Sequence, residues 1–254
     1  MDFLWELKIF AKHIVHWIVY FLGFSVFVAC FGLKKAVIFG EEFFVFLPSD
    51  NSLTVQVFNK IRADLLPPDV KLMVTNPISA FLAQILVSML LGFLMTLPVF
   101  IYKIILYLRP ALSPPERKSV MLSVLPLAFL FLFGSAYSYF FLIPVTFKLL
   151  YPFTTSIGAV AYFSVDEFIE YVLGLTLAVG LMFLLPVFMA LLSWLGIISA
   201  EFWKNKWRFA CLFFLIGSAI ITPDGTGITM IMLFFPLMIL YLAGYACARR
   251  MKRV

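Results

Sequence analysis

Tyr107-Leu-Arg-Pro-Ala-Leu-Ser-Pro-Pro-Glu-Arg-Lys118 is a polar, proline-broken passage between two of the longest apolar runs in the chain. Pro110, Pro114 and Pro115 forbid a continuous helix, because proline lacks a backbone donor and restricts the residue before it. Arg109, Glu116, Arg117 and Lys118 are costly in hydrocarbon. The passage therefore reads as a short loop at a membrane surface, and its cations assign it to the cytoplasmic side. It holds one carboxylate, Glu116, among three cations. Two readings of that acid stand. It receives a positively charged ligand, or it caps the next helix, near whose N-terminus the macrodipole favours a carboxylate.

Composition agrees with a membrane setting. Hydrophobic residues make up 64% of the chain, charged ones 13%, and there are 31 Phe; mean hydropathy is +1.07. Soluble domains lie far from these values. Several runs exceed the ~18 to 20 apolar residues that cross a ~30 Å hydrocarbon core, so they must be helices that satisfy their own backbone bonds. Barrel strands would be shorter and alternating. The net charge of +6 gathers at the ends of apolar runs, which argues for topology rather than nucleic-acid binding. Cys30, Cys211 and Cys247 lie in apolar runs at no metal or disulfide spacing and read as packing residues. The first apolar run lacks a small-residue cleavage site, so no cleavable leader is expected.

These runs predict an all-α integral membrane protein: one six-span domain, 1–254, of kinked helices in a concave bundle, ending in two short helices. Asp2 to Lys12 sets Phe3, Leu7 and Phe10 on one face, as in an interfacial helix. Spans follow at about 14–33, 78–107, 120–147, 171–195, 209–221 and 228–247. Pro98, Pro126, Pro144 and Pro186, with Gly92, Gly134, Gly174 and Gly180, supply bends. His13 and His16 read as interfacial residues rather than ligands. Residues 34–76 are expected to form an extracytoplasmic cap of short helices, with Phe43, Phe44, Phe46 and Phe58 giving it apolar surface. Thr222-Pro-Asp-Gly-Thr-Gly227 reads as a tight turn.

Charge counting gives the topology. With both termini, the 107–118 loop and the turn Gly196 to Arg208 inside, and Lys103 a turn before the loop snorkelling to the same face, the cytoplasmic side holds thirteen cations against four acids; the other side holds six cations and nine acids. Six spans with both ends in the cytoplasm follow from the positive-inside rule. The spans are nearly free of ionisable residues, which argues against a proton relay or ion pathway. No metalloprotease pair, nucleophile pair or phosphate-binding glycine loop occurs in them. No catalytic residue, metal or cofactor is expected. What remains is a bent helical scaffold whose inner face combines cations with two isolated acids, Glu6 and Glu116, suited to docking a peptide or a partner helix. The other class of reading is a six-span transporter or channel lined by Ser, Thr and Tyr of the third span.

Tyr107-Leu-Arg-Pro-Ala-Leu112 followed by Glu116-Arg-Lys118 resembles the first cytoplasmic loop of the TatC family, the receptor of the twin-arginine protein translocase. Phe133-Gly-Ser-Ala-Tyr-Ser-Tyr-Phe-Phe-Leu-Ile-Pro144 resembles that family's third span. Gly180 to Val187 and Trp194-Leu-Gly-Ile197 resemble its fourth span and the turn after it. Arg208 through Thr222-Pro-Asp224 to Pro236 and Leu240-Tyr241 resembles its last two spans, and Leu4-Trp-Glu-Leu-Lys8 its N-terminal motif.

The resemblance implies a receptor that binds the paired arginines of a signal peptide on folded cargo. It further implies assembly with single-span TatA- and TatB-type partners, self-association, and export driven by the proton-motive force from the cell membrane. It assigns Glu6, Lys8, Tyr107, Arg109, Pro110, Glu116 and Arg117 to signal-peptide binding. Tyr139, Pro144, Phe183, Leu184, Pro186 and Asp224 fall at partner-binding or structural positions. A carboxylate suits the task, because it pairs with guanidinium through two parallel bonds that lysine does not reproduce. The chain departs from the family pattern at Leu184 and Leu242, where glutamate is usual, at Phe3 for His and at Lys8 for Arg. Pro77-Ile-Ser-Ala-Phe81 also lacks the usual glutamate.

Overall fold

Apolar helices long enough to cross a bilayer organise the structure, a computed structural model that describes residues 3–38, 41–48, 51–66, 70–108, 121–156, 162–222 and 227–250. Among the described residues five helical segments have that length and apolarity: Ala11–Cys30, Ser79–Tyr107, Val124–Phe153, Val165–Trp194 and Ile228–Arg250. A shorter apolar helix covers Trp207–Ile221. At 1.5 Å per residue its 15 residues rise ~22 Å, less than the ~30 Å hydrocarbon core. The chain packs as two compact units, Met1–Lys103 with Thr154–Leu173, and Ile104–Phe153 with Gly174–Val254.

In the first unit a single helix α1 runs Phe3–Cys30. The amphipathic start and the first span are thus one helix, where a separate interfacial segment was expected. β1 (Phe31–Ile38) leaves it directly and pairs antiparallel with β2 (Glu41–Pro48), from Phe31↔Pro48 to Ile38↔Glu41. This hairpin corrects the expected all-helical cap. The run Glu-Glu-Phe-Phe-Val-Phe-Leu-Pro has no 3.6-residue spacing, and its aromatic and β-branched residues favour a pleated surface. α2 (Leu53–Leu65) does follow. Ser52 caps it by accepting from the Val55 N–H at 3.4 Å, and Thr54 Oγ1 donates to the Val28 carbonyl at 3.3 Å, tying α2 to the end of α1.

α3 (Ser79–Leu108) meets α1 at a close approach. A Cβ on Gly92 would overlap Ser25 Oγ and stand 3.3 Å from the Phe21 carbonyl oxygen. Small residues at such crossings let membrane helices touch. Trp17 packs beside this point, its ring 4.4 Å from Phe100 and 6.1 Å from Phe93.

β3 (Lys71–Met73) pairs in parallel with β4 (Tyr162–Ser164). Here Asp166 gathers hydroxyls: Ser79 Oγ donates to its Oδ2 at 3.0 Å, and Ser164 Oγ donates to its Oδ1. Thr75 and Ser164 hydroxyls are 2.9 Å apart. The acid in the first turn of the helix that follows β4 therefore bonds the first residue of α3.

In the second unit the third span is interrupted. α4 (Val124–Tyr137) passes into a π-helical turn, Ser138–Leu142, then α5 (Ile143–Ser156). The Ile143 N–H bonds the Ser138 carbonyl, five residues back. Pro144 accounts for the widened turn, because its ring clashes with the carbonyl four residues before it and it brings no donor.

α6 (Val165–Phe183) and α7 (Leu185–Trp194) are separated by Leu184. α8 (Ala200–Asn205), α9 (Trp207–Ile221) and α10 (Ile228–Arg250) complete the chain. α6 begins ahead of the expected span at 171, with Asp166 and Glu167 in its first turn, where the macrodipole favours them. Cys30 and Cys247 are exposed and Cys211 half-buried, so the cysteines do not share the expected packing role.

Candidate functional site

Glycines set the centre of the second unit. A Cβ on Gly134 of α4 would stand 2.6 Å from Phe183 Cγ and 3.1 Å from Gly180 Cα; one on Gly180 would stand 2.7 Å from Ser135 Oγ and 2.9 Å from the Phe131 ring. Backbones in such contact leave no room for side chains, and the aromatic rings pack around the crossing. Phe183 is 1% exposed, stacks on Tyr137 at 5.7 Å and tilts against Phe133 at 6.0 Å. Ser135 Oγ donates to the Thr176 carbonyl at 3.4 Å.

Tyr137 then reaches α10. Its hydroxyl donates to the Met232 carbonyl at 2.7 Å. That carbonyl lies four residues before Pro236, inside α10, and proline supplies no N–H to it. The tyrosine thus fills a vacancy in the α10 ladder that hydrocarbon would leave unsatisfied. Sequence reading grouped Tyr137 with the polar residues of the third span and singled out Tyr139. Tyr139 is half-buried on the π turn, with its ring edge-on to Phe140 at 5.1 Å.

Leu184 is the joint between α6 and α7. It keeps right-handed helical angles, φ −69° and ψ −16°, and its N–H bonds the Leu181 carbonyl at 3.2 Å, a tightened turn. Pro186 follows in the first turn of α7, where its missing donor costs nothing. Leu184 is 8% exposed. At the position where the family pattern usually has a carboxylate, this chain buries an aliphatic side chain that needs no polar partner. Leu242, the other such position, is 58% exposed on α10. Gly244 brings α10 against the joint, since a Cβ there would stand 2.9 Å from both Pro186 Cα and Met189 Sδ.

The turn after α7 closes by backbone bonds. The Ile197 N–H bonds the Leu192 carbonyl at 3.1 Å, the Gly196 N–H bonds the Ser193 carbonyl at 3.2 Å, and Gly196 takes φ +72°. This is the left-handed helix end that glycine permits. It sets α8 so that Trp203 Nε1 donates to Ser193 Oγ at 2.9 Å, while Tyr241 of α10 donates from Oη to the Trp203 carbonyl at 2.6 Å. Between α7, α8, α9 and α10 lies a cleft of about 410 Å³ lined by residues including Leu185, Phe188, Trp203, Lys206 and Tyr241. No motif announced it, because its walls come from four elements.

Of the positions assigned to signal-peptide binding, Tyr107 lies half-buried in the last turn of α3. Glu6 and Lys8 belong to the first two turns of α1, with side chains outside the described residues. Arg109, Pro110, Glu116 and Arg117 lie outside the described residues, as does Asp224. The structure brings together Phe183, Leu184 and Pro186, places Pro144 as the second residue of α5, just past the π turn, and adds Tyr137, Gly134 and Gly180.

Comparison with known proteins converges. The family described as "TatC: Sec-independent protein translocase protein (TatC)" matches residues 6–236. A Sec-independent protein translocase protein TatC of Cenarchaeum symbiosum (strain A) is 33% identical over 230 residues, 90% of this chain and 87% of that protein. Another, of Synechocystis sp. (strain ATCC 27184 / PCC 6803 / Kazusa), is 33% identical over 183 residues, 71% of this chain and 70% of that one. A crystal structure of a twin arginine translocase receptor, TatC, superposes with a TM-score of 0.74 at 25% identity, covering 96% of this chain and 98% of that one.

Proposed function

The chain belongs to the TatC family of Sec-independent protein translocase proteins, and from that premise we propose that it is the signal-reading subunit of a twin-arginine export system in the cell membrane. It is a multi-pass membrane protein and a translocase component, not an enzyme. On the proposed reading it crosses the membrane six times with both termini in the cytoplasm, and residues 34–76 cap the outer side. The inner face receives the paired arginines of a signal peptide on folded cargo. Single-span TatA- and TatB-type subunits and further copies of this chain then assemble around it, and the proton-motive force drives export.

One observation carries the reading: Glu116 is the sole acid between Tyr107 and Lys118, in a chain whose spans are almost uncharged. The cations Arg109, Arg117 and Lys118 repel any basic ligand that lacks a specific partner, so an arginine pair is held there only by a carboxylate. Glu6, in the first turns of α1, is the second acid proposed to share the task, with Lys8, Tyr107 and Pro110 shaping the approach. Guanidinium forms paired bonds to such a group, and lysine does not match them. Tyr139, Pro144, Phe183, Leu184, Pro186 and Asp224 serve the scaffold and its partner contacts.

The test is export. Co-expressed with single-span Tat partners, the protein moves a folded reporter bearing a twin-arginine signal out of the cytoplasm, while a twin-lysine signal or the pair Glu6→Gln and Glu116→Gln leaves it inside. Reporter export at the same rate with the double variant overturns the assignment of both acids.

A further inference from the structure

We propose that the cleft between α7, α8, α9 and α10 is a binding site for one anionic phospholipid, with an acyl chain in the cleft and the headgroup phosphate on Lys206. This stands apart from the signal-peptide reading and rests on four observations.

The walls are hydrocarbon and aromatic. Two of the polar atoms carried by lining residues are turned inward to partners of the fold: Trp203 Nε1 to Ser193 Oγ at 2.9 Å and Tyr241 Oη to the Trp203 carbonyl at 2.6 Å. That leaves the Lys206 ammonium, 4.9 Å from the centre of the Phe209 ring, as the one charged group lining the cleft. A ligand there must be apolar along its length and negative at one end.

The shape suits a chain. The cleft, about 410 Å³, is walled by Leu185, Phe188, Met189, Leu192 and Phe213, and a flexible acyl chain fits itself to such an irregular apolar space with no polar group of its own left unpaired.

The cleft also borders the outward surface. Phe188 is 52% exposed, Phe209 66% and Phe213 65%, so a lipid can enter sideways. Finally, Lys206 belongs to a basic stretch of the chain: Lys204 and Arg208 lie two residues to either side of it, against the single acid Glu201 in that segment. Basic residues beside apolar clefts between membrane helices attract anionic headgroups.

The experiment uses purified full-length protein in micelles with equal amounts of phosphatidylglycerol and phosphatidylcholine of identical chains, and native mass spectrometry counts the retained lipids. The unsubstituted protein is expected to retain phosphatidylglycerol about fivefold over phosphatidylcholine, the contribution of one lysine near a surface. Lys206→Gln, at an exposed position, brings the ratio to about one. Ala210→Phe, which fills the cleft, lowers retention of both lipids. Lys12→Gln, on α1, leaves the ratio unchanged. Equal retention by the unsubstituted protein overturns the site, as does a preference that survives Lys206→Gln or one that Lys12→Gln abolishes to the same degree. No retained lipid at all means that the cleft serves another occupant, and overturns it too.

Discussion

The spans Ala11–Cys30 and Val165–Trp194 are both strongly apolar, yet 11% of the first and 50% of the second is buried inside the protein. Hydropathy sets membrane crossing but not how many neighbours a helix has. That is decided by small residues at crossings. α1 offers Ser25 to Gly92 and otherwise turns Val19, Leu22 and Val26 outward. The α6–α7 span carries Gly180, Phe183 and Pro186 into contact with two other helices of its unit. In lipid no hydrophobic force drives helices together, so close packing and hydrogen bonds must.

The sharpest way to break this contrast is to add side chains to glycines in the two spans. Gly180→Leu forces atoms into the Ser135 hydroxyl and the Phe131 ring. Overpacking of this kind costs about 3 kcal/mol or more, so detergent-solubilised protein should lose its monodisperse chromatographic peak. Gly23→Leu, on α1 with nothing within 4 Å, should leave that peak and the melting temperature unchanged.

A smaller loss is expected from Tyr137→Phe. It keeps the stacking on Phe183 but returns the Met232 carbonyl to an unsatisfied state, at about 1–2 kcal/mol. Thermal unfolding followed by Trp fluorescence reads it as a lowered midpoint. Pro236→Ala should relieve most of that penalty, because it restores an N–H to the same carbonyl. Additive losses in the two substitutions would show that the hydroxyl and the proline act independently.

The weakest effect belongs to the first unit. Asp166→Asn keeps acceptor capacity toward Ser79 and Ser164 but loses the charge that strengthens those bonds, a small loss because the carboxylate is open to solvent. Hydrogen exchange should rise at the first turns of α3 and α6 and stay unchanged along α4.

Much of this was legible in the chain. Long apolar runs marked where the apolar helices lie along the chain, because crossing a bilayer imposes a length that composition reveals. The break at Leu184 was signalled by Pro186, and the turn after α7 by Gly196. The hairpin Phe31–Pro48 was not, since a half-polar segment between spans carries little constraint and its alternation is masked by five phenylalanines. Tyr137 with Met232 was hidden for another reason: the partners lie 95 residues apart, and the acceptor is a backbone atom. Site residues divide the same way. Glu6 and Glu116 stood out as isolated acids, whereas Leu184 had to be seen buried before its aliphatic character made sense. The cleft around Lys206 is assembled from four helices and left no local mark.

The central claim, that Glu116 reads a guanidinium pair, is tested most directly by photo-crosslinking. A peptide carrying Arg-Arg and a photoreactive group is added to inverted membrane vesicles, which present the cytoplasmic face. It should label residues 109–118, and the label should vanish with a Lys-Lys peptide or with Glu116→Ala while the protein still inserts. An undiminished label in Glu116→Ala would contradict the account.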